Sequence, residues 1–473
     1  MKFHLYNETT YCLLEILIMD KKYLFTLPVV FVVMSLVNHQ PIHRKKESFH
    51  ENWNVDVGKT TFRTNVSITQ SYVVIGSNGD NYRDANITDN RSGVHIINRK
   101  TGKRIRDFAN ESFGDLDVNG TLIYQNRIYF GNDNDEFICA DFNGNIKYSL
   151  PVSGDVESKA VLVKRNGKDV LVFGTEAGEL RAIDPKNGKT IWQHFHPNFN
   201  GWKMGDNRLV FKIKTHFSST YLFLKKPVTY DLDQDGTKDL IYQLGGEFYA
   251  VNGMDGKILS KFSIHGDWDK RRDTNELFCW SDQSSFIFSN RNGEVNVTIP
   301  KSNLRLRPDS DYNSDGYGAH MVTYDLNGNI KKSEVIDKRT EMTDFNKIQS
   351  RNVFCNGHKM YHFDTQMNLI KKVPFKHLDL GQQDYFSYFI SNQLLKVGNH
   401  ECIVFLYEYQ NTVAFYDIHT GKAVRTFKLQ GRSEFVPVVQ DINKDGKLDL
   451  LYADDSNYLT CVDLGTDVQI LNK

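Results

Sequence analysis

The chain has 473 residues, of which 40% are apolar and 12% aromatic, and its 58 basic residues balance its 58 acidic ones. It is long enough to bury a sizeable core, while the even charge and the lack of a long Lys/Arg block leave no field to hold nucleic acid or an anionic membrane surface. Abundant Tyr and Phe (23 and 31) favour strands over helices, so the composition points to an all-β protein.

From the N-terminus, the stretch "MDKKYLFTLPVVFVVMSLVNHQ" places Lys21 and Lys22 before 15 apolar-rich residues, Tyr23 to Val37. A charged start followed by a run of that length has the form of a secretory signal and is short for a membrane span. Residues 1–40 therefore read as a targeting segment, either a signal peptide starting at Met19 or an uncleaved anchor. Residues 41–60 read as a linker and 61–473 as the folded body. The expected location is extracytoplasmic, whether secreted, periplasmic or at the cell surface. Six cysteines (Cys12, Cys139, Cys279, Cys355, Cys402 and Cys461) lack CxxC spacing and mostly sit in strand-like runs, which predicts buried thiols rather than zinc ligands or a redox pair.

Beyond residue 90 one phrase recurs: an apolar strand ending in Asp or Asn, a short turn with Gly, then Lys and a second strand. Its turn positions are Gly102, Gly144, Gly188, Gly256, Gly328, Asn368, Gly421 and, in a weaker copy, Gly465. The intervals of 42, 44, 68, 72, 40, 53 and 44 residues define a base period near 42 with longer third and fourth units. Asn-Gly, Asp-Gly and Thr-Gly supply the positive φ of tight hairpins. In "DVLVFGTEAGELRAIDPKNGKTIW" three successive strands can be read, and "SKAVLV" before them makes four. Four short antiparallel strands per 40–45 residues is the pattern of a propeller blade. The expected fold is a β-propeller of about eight four-stranded blades, with seven as the alternative count, closed by C-terminal strands returning to the N-terminal blade.

Two units carry an acidic loop. In "DLDQDGTKD", Asp231, Asp233, Asp235 and Asp239 stand at positions 1, 3, 5 and 9, with the Thr237 carbonyl at position 7. In "DINKDGKLD" the equivalents are Asp441, Asn443, Asp445 and Asp449, with the Lys447 carbonyl. Alternation around a glycine bend gathers hard oxygens about one centre, as a Ca²⁺ site requires. An EF-hand is excluded because position 12 is Tyr242 or Tyr452 rather than Glu, and strand-like "DLIYQL" and "DLLYAD" follow in place of a helix. A third stretch, with Asp311, Asn313 and Asp315, has Ala319 at the ninth position and reads first as a polar turn.

The unit "VFGTEAGELRAIDPKNGKTIW" resembles the pyrroloquinoline-quinone-like repeats of quinoprotein-type propellers, and "VTYDLDQDGTKDLIYQ" and "VPVVQDINKDGKLDLLYA" resemble the FG-GAP or integrin-α-type repeats of calcium-binding propellers. Together the resemblances run from about residue 60 to 473. They imply a propeller that holds Ca²⁺ structurally. Quinoprotein dehydrogenases carry adjacent cysteines at their cofactor; this chain has no Cys-Cys pair, so that resemblance implies fold alone.

No G-x-S-x-G, H-E-x-x-H or phosphate loop is present, and no catalytic or organic-cofactor residues are assigned. His194 and His196 of "HFH" would lie on one side of a strand and read as packing. Residues 197–225 and about 264–315 exceed the period, and with Phe199, Trp202, Trp268 and Trp280 they are the expected contact surface. The function expected is a non-enzymatic calcium-binding propeller that presents one face to a protein or glycan. The alternative is a polysaccharide lyase or hydrolase, similar to propeller-fold rhamnogalacturonan lyases.

Overall fold

The computed structural model describes residues 49–79, 91–108, 117–175, 177–196, 227–244, 247–264, 278–280, 286–291, 294–304, 318–337, 346–348, 351–356, 359–376, 388–407 and 410–471. The targeting segment, the 197–225 insertion and the third acidic stretch lie outside them, as do most of 264–315 and the side chains of Cys12, Cys279, Phe199, Trp202, Trp268 and Trp280.

Eight antiparallel sheets follow one another along the chain, and none of the described residues is helical. Blade 1 runs through Val66–Ile68, Tyr72–Asn78, Ser92–Asn98 and Arg104–Phe108. Blade 4 is built from Val228–Tyr230, Asp239–Leu244, Glu247–Val251 and Ile258–Ser263, and blades 2 and 3 repeat the same order. Blade 5 adds a fifth strand, Ile287–Arg291, beside Glu294–Leu304. The protein is thus an eight-bladed propeller of four-stranded sheets.

Strand position within a blade explains residue type. The middle strands of blade 1, "YVVIGSN" and "SGVHIIN", are buried almost throughout, because blades flank them on both sides and no alternation is needed. Its outer strand "RIRDF" is exposed and basic, which keeps an open edge from pairing with another chain. Apolar clusters span neighbouring blades: Val74, Val94 and Ile96 pack with Ile128, Phe130 and Ile138, and Ile241 and Phe248 pack with Val297 and Val322.

The ring closes through both termini. Blade 8 takes Val438–Gln440, Asp449–Ala453 and Tyr458–Asp463 from the C-terminal end and its outer strand, His50–Asp56, from the N-terminal end. That strand lies within residues 41–60, which read as linker in the sequence. It pairs antiparallel from His50 opposite Asp463 to Asp56 opposite Tyr458. The eighth sequence phrase behaves differently from the other seven. After Gly465 the strand Val468–Ile470 leaves its own blade and pairs with Leu395–Val397 in the first strand of blade 7, since the N-terminal strand already fills the outer place.

Each hairpin turn between third and fourth strands docks on the outer strand of the preceding blade. A Cβ on Gly102 would lie 2.6 Å from Trp53, one on Gly256 2.6 Å from Trp192, one on Gly188 2.8 Å from Tyr148 and one on Gly328 2.5 Å from Phe262. The buried indoles also donate to backbone: Trp53 Nε1 to Arg99 O and Trp192 Nε1 to Gly253 O, both at 3.0 Å. Where the turn residue is Asn368, the aromatic gives way to Lys332, whose Nζ donates to Asn368 Oδ1 at 2.6 Å. At Gly465, Arg425 donates to Leu464 O at 2.8 Å and Asp467 Oδ2 at 2.7 Å.

The imidazoles of "HFH" belong to the blade 3–4 interface. His196 is 1% exposed, its Nε2 lies 2.9 Å from Tyr242 Oη, and its ring meets His194 edge-on at 5.3 Å between centroids. Burial lowers the His196 pKa to about 3. The four described cysteines (Cys139, Cys355, Cys402, Cys461) are buried free thiols.

Two outcomes follow from this packing. Gly256 has φ +78° and no room for a methyl, whereas Gly167 has φ +76° and open space. Gly256→Ala should therefore lower unfolding free energy by about 2–4 kcal/mol and Gly167→Ala by about 1 kcal/mol, read from denaturant melts. Equal losses would mean that the turn conformation, not the docking, sets the cost. Because His196 is held neutral, its contribution is complete above the unfolded-chain pKa of about 6.5 and is lost as pH falls towards 3. Between pH 7 and 5 the parent should lose about 2 kcal/mol that a His196→Phe variant does not; parallel stability curves would contradict it.

Candidate metal centre

Both acidic loops join the first and second strands of their blades: Asp231–Lys238 lies between Val228–Tyr230 and Asp239–Leu244, and Asp441–Leu448 between Val438–Gln440 and Asp449–Ala453. The blades are the fourth and the eighth, half a ring apart. Consecutive strands in a blade alternate direction, so these loops share one face with the glycine hairpins.

The two loops, 210 residues apart, have one conformation. Gln234 and Lys444 take φ +61° and +64°, and Gly236 and Gly446 take +84° and +89°. Position-9 carboxylates accept the position-2 amide in both: Leu232 N–H to Asp239 Oδ2 and Ile442 N–H to Asp449 Oδ2, each at 2.7 Å. The glycine amide donates to the first aspartate, Gly236 to Asp231 Oδ2 at 3.1 Å and Gly446 to Asp441 Oδ2 at 3.2 Å. The position-7 amide donates to the fifth, Thr237 to Asp235 at 2.7 Å and Lys447 to Asp445 at 2.9 Å. Backbone donors therefore pull the side chains inward and hold them there.

What the protein leaves unsatisfied is oxygen. Asp231 Oδ1 and Asp441 Oδ1 are buried without a hydrogen-bond partner, at the same position in each loop. Carboxylate oxygens of Asp231, Asp233 and Asp239 lie within 4.8 Å of one another. Asp239 and Asp449 are fully buried, and burial, ahead of the neighbouring carboxylates, pushes each pKa up to about 6. Converging hard oxygens with an orphaned lone pair fit a divalent cation such as Ca²⁺.

The surroundings of the loops differ, and the sequence offsets reveal none of this. In blade 4, Asn252 Nδ2 donates to Asp233 Oδ2 at 2.6 Å and the Gly253 amide to Asp239 Oδ1 at 3.0 Å, both from the blade's own hairpin. In blade 8 the donor to Asp449 Oδ1 is Asn52 Nδ2, at 2.7 Å, from the N-terminal strand. Lys447 Nζ lies 2.7 Å from Asp463 Oδ2 and 4.0 Å from Asp445 Oδ2. Arg99 of blade 1 donates to the carbonyls of Asp441 and Ile442. Asn52 and Arg99 sit 397 and 342 positions from their partners, too far for any motif to connect them.

On the opposite face, Asp133, Asp155 and Glu157 also bring carboxylates within 4.8 Å, a grouping the sequence reading missed because two loops supply it. Glu157 there is paired with Arg63 and accepts from Asn119 Nδ2.

Residues 50–285 match the PQQ-like family described as outer membrane protein assembly factor BamB. No curated protein sequence matches the chain. Among solved structures, BamB from Moraxella catarrhalis is similar over 88% of this chain and 100% of its own, with 10% identity and a TM-score of 0.52. Saccharomyces cerevisiae Sqt1 is similar over 89% and 100%, with 9% identity and a TM-score of 0.52. The quinohemoprotein alcohol dehydrogenase ADHIIG from Pseudomonas putida HK5 is similar over 90% and 77%, with 9% identity and a TM-score of 0.50. Identities this low establish shared fold alone. The matched stretch contains the hairpins that dock on Trp53, Tyr148 and Trp192, and it stops before the Gly328 hairpin and the interfaces held by Lys332 and Arg425. The chain is therefore an eight-bladed β-propeller, and its residues 50–285 match the PQQ-like family described as outer membrane protein assembly factor BamB.

Proposed function

We propose that this protein is an extracytoplasmic propeller scaffold, stiffened by two calcium ions, that docks a protein partner on the face opposite its metal loops. The observation that carries the calcium reading is the repetition of one loop conformation, with the same orphaned Oδ1, in blades 4 and 8. Ca²⁺ would be held by Asp231, Asp233, Asp235, Asp239 and the Thr237 carbonyl in one loop, and by Asp441, Asn443, Asp445, Asp449 and the Lys447 carbonyl in the other. Its chemistry there is counter-charge and coordination. Around it the chain's own amides orient the carboxylates, and the loop clamps the first two strands of the blade together. All of these ligands come from the loop, so the role is structural.

The partner reading draws on the description of the matched family, an assembly factor for outer membrane proteins, which works on other proteins. An apolar run after Lys21 and Lys22 supports an extracytoplasmic location. A glycan ligand and a polysaccharide lyase or hydrolase have no comparable support. The metal loops and hairpins occupy one face, which leaves the blade-to-blade crossings, with Lys59, Lys159 and the Asp133–Asp155–Glu157 group, as the face on which to seat a partner.

Chelation should lower the stability of the purified chain by about 2.7 kcal/mol for each site previously held at a hundredfold excess of calcium over its dissociation constant. An Asp235→Ala, Asp445→Ala double variant should melt identically with and without chelator. A parent chain that melts identically under both conditions ends the calcium reading. For the partner, crosslinks to a bound protein should fall on Lys59 or Lys159; crosslinks confined to hairpin lysines such as Lys257 would reverse the choice of face.

A further inference from the structure

The second metal loop differs from the first in what it touches, and the difference lies at the seam of the ring. The closing strand His50–Asp56 pairs with Tyr458–Asp463 in regular register except at one place: Glu51 faces Val462 and Trp53 faces Cys461, so Asn52 is the extra residue of a β-bulge. Bulges re-aim side chains. Here the extra residue places Asn52 Nδ2 2.7 Å from Asp449 Oδ1, while Asp449 Oδ2 accepts the amides of Ile442 at 2.7 Å and Asn443 at 3.1 Å. One buried carboxylate thus bridges the ligand loop and the strand that shuts the propeller. In blade 4 the equivalent oxygen of Asp239 is held by Gly253 of the same blade, and no sequence-distant strand among the described residues reaches it.

We infer that cation binding at the loop 441–449 is coupled, through Asp449 and the bulged Asn52, to closure of the ring by the N-terminal strand, and that the loop 231–239 is not so coupled. The inference rests on the calcium reading above. A cation fixes the Asp449 carboxylate in its inward orientation, and with it the oxygen that accepts the hydrogen bond from Asn52. Without it, Asp441, Asp445 and Asp449 repel one another, and the strain falls on the loop and on that bond. Trp53, the next residue, docks against Gly102 of blade 1, so loosening at Asn52 loosens the aromatic contact that joins blade 8 to blade 1. The two sites also differ in strength. Loop 231–239 offers four carboxylates, whereas loop 441–449 offers three and an amide, with Lys447 Nζ 4.0 Å from Asp445 Oδ2 as a resident competitor. Closure therefore responds to the weaker site.

Coupling must be reciprocal: calcium protects the strand, and the strand's asparagine raises calcium affinity by the same factor, commonly about 5- to 150-fold. Two measurements on the full chain test this, with calcium alone as the probe. In hydrogen exchange, adding chelator to the parent or introducing Asp445→Ala should speed exchange of the Trp53–Asp56 amides about tenfold, while Asp235→Ala should leave them unchanged. In calorimetric titrations, Asn52→Ala should weaken calcium binding at loop 441–449, isolated in an Asp235→Ala background, and leave loop 231–239, isolated by Asp445→Ala, as it was. If both loops bind calcium but neither strand exchange nor the Asn52→Ala affinity changes, the coupling is wrong and the calcium reading stands. If neither loop of the parent binds calcium, the reading and the inference fall together. Should Asn52→Ala not fold, the exchange measurement on the parent decides alone.

Discussion

Six of the eight blade interfaces depend on a place where a hairpin has no side chain. Trp53, Tyr148, Trp192 and Phe262 rest where Gly102, Gly188, Gly256 and Gly328 would otherwise carry a Cβ. The glycine does two jobs there: it permits the positive φ of the turn, and it lets a ring approach the backbone. Because the indoles also donate to carbonyls of the turn, the Trp53 and Trp192 contacts fix orientation as well as burying surface. Repetition of this contact sets the angle between blades and hence the number that closes the ring.

Two joins in the second half of the ring use other chemistry. Lys332 reaches Asn368 and Arg425 reaches Leu464 and Asp467, so charge-assisted bonds stand where rings stood. A ring with unequal joints is held shut only if its seam is strong. Here the seam combines a main-chain ladder, the Trp53 contact and the Asn52–Asp449 bond, with Arg99 reaching across from blade 1 to the acidic loop. The loop of blade 8 thus belongs to the seam as much as to its own blade.

Strand alternation sends hairpins and acidic loops to one side and blade-to-blade crossings to the other, whatever their sequences.

What the sequence determined by itself was local. Asn-Gly and Asp-Gly turns at a period near 42 specify hairpins, eight phrases specify eight blades, and the offsets of Asp231 and Asp441 specify two loops of one shape, because backbone torsions and oxygens a few residues apart depend only on near neighbours. The lack of Cys-Cys and CxxC pairs likewise foretold the buried free thiols of the four cysteines whose side chains are described. Tertiary structure decided everything carried across hundreds of positions. It took residues 50–56 out of the apparent linker to finish blade 8, sent Val468–Ile470 to blade 7, paired Asn52 with Asp449, and gathered Asp133 with Asp155 and Glu157. No periodicity encodes those meetings, since they arise only when the ring closes and brings its two ends into one sheet.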